Sequence, residues 1–159
     1  MPVDELHFRI GPRWTRETFA VPDDPLGELS DLEMGLLRYA VEENAEVTVA
    51  VGEDEWRVLL FPDISALVLQ LAPIALDLER GVPVELSLPE SQLVISFGAG
   101  DAAMVRHFGG RVAESPHTVD RSQVAGELRR FQHDVLGRAA SDRYVDQADV
   151  AEFLARSGA

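Results

Sequence analysis

Leu6, Phe8 and Ile10 alternate with His7 and Arg9, the period-two pattern of a half-buried strand, and Gly11-Pro12 is expected to end it. A second short strand is predicted around Thr15–Val21, before the turn-rich Pro22-Asp23-Asp24-Pro25. Ser30 with Glu33 spells a capping box, which starts a helix at Asp31 and carries it to about Asn44. Val47, Val49 and Val51 alternate again. Gly52-Glu53-Asp54-Glu55 reads as a hairpin loop, and Trp56–Phe61 returns as a strand. That returning strand is apolar on both faces, which predicts a central place in a sheet.

Pro62-Asp63 opens the next helix, with Asp63 as its expected N-cap. Ile64, Leu67, Val68, Leu71, Ile74, Ala75 and Leu78 form its apolar stripe. Pro73, on the opposite face, is expected to bend this helix around the core, and Gly81 to end it. Three strands follow as a meander at Val82–Leu88, Gln92–Phe97 and Ala102–Phe108. A further short strand is possible between Gly109-Gly110 and Ser115-Pro116. Asp120 caps a helix that buries Val124, Leu128, Phe131 and Val135, while Glu127, Arg130, Asp134 and Arg138 ladder along a face expected to be solvated. Asp146–Arg156 forms a last short helix.

Strands joined by loops this short pair antiparallel. The pattern therefore predicts an α+β fold: a mostly antiparallel sheet, hairpin plus meander, with three to four helices packed against it. Residues 1–140 make one domain, with 141–159 as its C-terminal helix or a loosely attached tail.

Composition narrows the chemistry. The 159 residues contain no cysteine, so a disulfide, a thiolate zinc site and a thiol nucleophile are all excluded. The net charge is −14, and nearly all of it belongs to residues 1–100, which carry 19 acidic and 6 basic side chains. Every basic residue is arginine. Such a field repels nucleic acid and anionic lipid and hastens encounter with a basic partner. The longest apolar stretch, Ala66–Leu76, is interrupted by Gln70 and Pro73 and falls short of a bilayer span. The acidic start lacks the order of a signal peptide, so the cytoplasm is the expected compartment.

No Walker A sequence, G-x-S-x-G elbow or H-E-x-x-H helix occurs. Gly98-Ala99-Gly100-Asp101 reads as a hairpin turn. His7, His107, His117 and His133 show no metal-ligand spacing, and neither a metal nor a cofactor is expected. The acidic clusters are Asp23-Asp24, Glu42-Glu43 with Glu46, and Glu53-Asp54-Glu55 beside Trp56. Trp56 is the aromatic that could anchor an interface there, with Trp14 as the other candidate. Charge and missing motifs favour a non-enzymatic protein-binding module, of immunity or inhibitor type, that takes a basic partner through the acidic surface. The alternative is a small enzyme or ligand-binding domain whose pocket, between sheet and helix, gathers His7, Arg9, Arg57 and Glu85, with Asp101 and His107 as a nearby acid–base pair. A homodimer joined at a sheet edge is a third possibility.

Overall fold

The computed structural model describes residues 2–13, 21, 23–24 and 26–157. The strand expected at Thr15–Val21 and the Trp14 side chain fall outside the described residues, Val21 excepted. Two antiparallel sheets and the helices packed with them share one core, an α+β fold as expected.

The first sheet has the order β1 (Leu6–Arg13), β2 (Ala45–Val51), β3 (Asp54–Leu59). β1 runs past Gly11-Pro12 to Arg13, with an irregularity in register between Ile10 and Arg13. The hairpin turn is tighter than predicted. Val51 faces Asp54 across a two-residue turn in which Gly52 takes a φ of 60°, a conformation that suits glycine. β3 is an edge strand, contrary to the expectation drawn from its two apolar faces; the central strand is β2. The misleading residues are Leu60 and Phe61, which lie beyond β3 in an irregular turn whose Phe61–Pro62 peptide is cis.

Helix α1 (Asp31–Glu43) has the predicted capping box at Ser30 and Glu33 and ends in left-handed Asn44. The segment after β3 stays right-handed helical from Ile64 to Arg80 but tightens partway along. A short turn, α2 (Ser65–Leu67), passes through a tight turn at Val68–Gln70 into α3 (Leu71–Glu79). Pro73 therefore stands in the first turn of α3, where its missing N–H costs nothing. Asp63 does not cap this helix. Its carboxylate accepts from the backbone N–H groups of Glu90 and Ser91 and from the Ser91 hydroxyl, pinning the turn Pro89–Ser91. The run Leu60–Glu79 is long and apolar enough to cross a membrane by composition. Here it buries Ile64, Val68, Leu71, Ala75 and Leu78 in the core.

The second sheet is a meander of β4 (Val84–Leu88), β5 (Leu93–Phe97), β6 (Ala102–His107) and β7 (Ala113–Thr118). Ser115-Pro116, expected to bound the last strand, lies inside it. β7 is an edge, where a residue without an N–H is tolerated. Helix α4 (Arg121–Ser141) starts at Asp120 as predicted and buries Val124, Leu128, Phe131 and Val135. Phe131 stacks on Phe8 with ring centroids 4.6 Å apart, which ties α4 to β1. Buried Arg121 donates to the carbonyls of Leu78, Val82, Gly98 and Gly100. One cation thus gathers the C-terminal end of α3 and the β5–β6 loop. Helix α5 (Gln147–Arg156) is capped by Asp146 and leans Val150, Phe153 and Leu154 on the core.

Candidate functional site

Of the polar ladder of α4, Arg130 and Arg138 are exposed as expected, whereas Glu127 is buried. Strand β1 is an edge whose alternate peptide groups point away from β2, and α4 supplies their partners. Leu6 donates its N–H to Gln123 and accepts from the Gln123 amide, at 2.9 and 2.8 Å. Phe8 donates to the Glu127 carboxylate at 2.9 Å and accepts from the Arg130 guanidinium at 2.7 Å. Residues four apart rise about 6 Å along a helix, and residues two apart advance about 6.7 Å along a strand. Gln123 and Glu127 therefore match successive outward rungs of β1. Glu127 is only 7% exposed and is held by Arg130, whose own proton is bound more firmly for that contact.

Beside this junction runs a cleft of about 640 Å³, lined by His7, Arg9, Glu55, Arg130, Asp134 and Arg138 among others. His7 and Arg9 thus share this cleft with the exposed α4 residues Arg130 and Arg138. Arg57 lies on the same outer face of the first sheet but pairs with Glu46 at 2.6 Å. Glu85 belongs to the second sheet, and Asp101 and His107 sit at opposite ends of β6. These three do not join the cleft. Its charges are matched in pairs: Arg9 with Glu55 at 3.5 Å, and Arg138 with Asp134 at 3.0 Å.

The two acidic clusters that flank β2 are also separate. Glu42, Glu43 and Glu46 lie near the start of β2, and Glu53, Asp54 and Glu55 at its far end; seven residues of strand set them about 20 Å apart. Glu43 accepts a hydrogen bond from Tyr144, and burial, followed by the Glu42 and Glu43 carboxylates, holds that phenol's proton well above the ordinary range. At the hairpin end the fold adds two carboxylates that the spacing did not single out. Asp4 packs on Gly52, and Glu5 pairs with His7 at 3.0 Å. Five acidic side chains from two distant stretches therefore surround the Gly52-Glu53 turn.

His117 closes this end from below. Its side chain is 7% exposed, with Nδ1 2.7 Å from Asp4 and Nε2 3.1 Å from Asp54. A carboxylate on Nδ1 is the orienting arrangement of a general base. Nε2, however, is itself buried and faces a second carboxylate, so a substrate has no approach to it. The group clamps the first sheet to the second. Among the described residues, no three His, Asp or Glu side chains gather as a metal site. No family model, curated protein or solved structure matches this chain.

Proposed function

We propose that the protein is a non-enzymatic binding module, of immunity or inhibitor type, that engages a basic protein through the hairpin end of the first sheet. The observation that carries this reading is the convergence of Asp4, Glu5, Glu53, Asp54 and Glu55 around one tight turn, on a chain of net charge −14. Trp56 stands next to this group on β3, half-buried, with an edge left to contact a partner. Clustered carboxylates at an exposed turn raise the encounter rate with a positive surface and set its orientation.

The test is capture of a basic partner from native lysate at low and high salt, followed by association kinetics with the recovered protein. Glu5→Lys with Glu53→Lys should slow association by about tenfold or more at low salt. An unchanged association rate would remove the hairpin from the interface. The second reading, a small-ligand site, is favoured by the cleft beside Arg9, Arg130 and Arg138, whose volume is within the range of ligand pockets. Thermal-shift screening with small anions, compared between wild type and Arg138→Gln, separates the two.

A further inference from the structure

The two edges of the first sheet are treated differently. That of β1 is closed by Gln123, Glu127 and Arg130. On β3 the two-residue turn makes Val51 and Asp54 a hydrogen-bonded pair, so Asp54, Trp56 and Val58 direct their peptide groups to β2. Glu55, Arg57 and Leu59 direct theirs outward. The Leu59 N–H is capped by the Ser91 hydroxyl at 2.9 Å, which confirms that alternation. Among the described residues no partner covers the outward peptide groups of Glu55 and Arg57, and their side chains are 55% and 72% exposed.

We infer that this edge pairs with the same edge of a second copy of the chain, antiparallel, about a two-fold axis at Trp56. The occupant follows from self-complementarity. An antiparallel pair centred on residue 56 sets Glu55 opposite the partner's Arg57, and Arg57 opposite the partner's Glu55. These are the two residues whose outward N–H and C=O groups are open, so each pair exchanges both backbone hydrogen bonds. The same register sets opposite charges directly across the junction, the favourable cross-strand arrangement. On the outer face Arg9 contacts Glu55 and Glu46 contacts Arg57, so the charges alternate in sign from one subunit into the next. Trp56 meets its own copy on the inner face. The register also ends where it must: Leu59, already capped by Ser91, falls opposite the partner's Glu53, in its turn. The interface is isologous and closes on itself, joining two three-stranded sheets into one of six.

Such a junction is small, and both subunits are acidic, so association is weak and tightens with salt as the long-range repulsion is screened. Binding of a basic partner at the hairpin weakens with salt, so failure of one reading is distinguishable from failure of the other. The experiment is sedimentation equilibrium over a concentration series at low and high salt, using Glu55→Arg, Arg57→Glu and their equimolar mixture, with circular dichroism to confirm folding. Each variant alone sets like charges across the axis and should remain monomeric. The mixture restores both opposite pairs and should associate at least as tightly as wild type, with slowed amide exchange at residues 55 and 57. A mixture no more associated than either variant alone overturns the inference, as does wild-type association that neither substitution alters.

Discussion

The carboxylate of Glu127 sits where a neighbouring strand would place a carbonyl, accepting the outward N–H of Phe8 at 2.9 Å while Arg130 takes the Phe8 carbonyl at 2.7 Å. A helix thus completes the edge of a sheet. Glu127→Ala removes an ionised acceptor from a buried N–H and leaves Arg130 without its counter-charge. The expected loss is about 2–3 kcal/mol in urea unfolding. Glu127→Gln keeps an acceptor and should cost roughly half as much. Equal stability of wild type and the alanine variant would show that α4 does not hold this edge.

Gly35 tests the packing of α1 against the segment that follows α4. Alanine is the better helix former by about 1 kcal/mol. At this position, however, a Cβ would collide with the Tyr144 carbonyl oxygen and crowd a methyl of Val145. Backbone cannot move aside as a flexible side chain can. Gly35→Ala should therefore lower stability by about 1–3 kcal/mol net, read as a shifted denaturation midpoint. A stabilised variant would mean that this contact is loose.

Tyr39 is 3% exposed, and burial pushes its phenol up to about 12 from the ordinary 10, with nearby Asp142, Glu43 and Asp134 adding to the effect and Arg138 opposing it. The folded state holds this proton more firmly than the unfolded chain does. The resulting stability is complete below pH 10 and is lost as pH rises from 10 through about 12, on the order of 3 kcal/mol at most. Tyr144 acts in the same direction. Tyr39→Phe should flatten the decline in unfolding free energy between pH 10 and about pH 12, the window of that shift. An unchanged slope would assign the alkaline transition to other groups.

Local pattern alone determined the elements whose signals are local. The box of Ser30 and Glu33, the alternation of Val47, Val49 and Val51, the cap at Asp120 and the buried stripe of α4 all appear where the residues predict them. Each depends on partners within a few positions, so short spacing is enough to specify it. The tertiary structure decided what depends on distant partners. Asp63 looked like the cap of its own helix, but it satisfies the turn at residues 89–91. Glu127 looked solvated, but it closes β1 from 119 residues away. β3 looked central because apolar residues on both faces do not reveal which edge is paired. The acidic end of the hairpin was half legible: Glu53, Asp54 and Glu55 are adjacent in the chain, whereas Asp4, Glu5 and His117 reach it only through pairing of the strands. A polar side chain carries no mark of which buried N–H or charge it will meet. That choice is made when the edges and helix ends left over from local structure come together and their unmet hydrogen bonds must be satisfied.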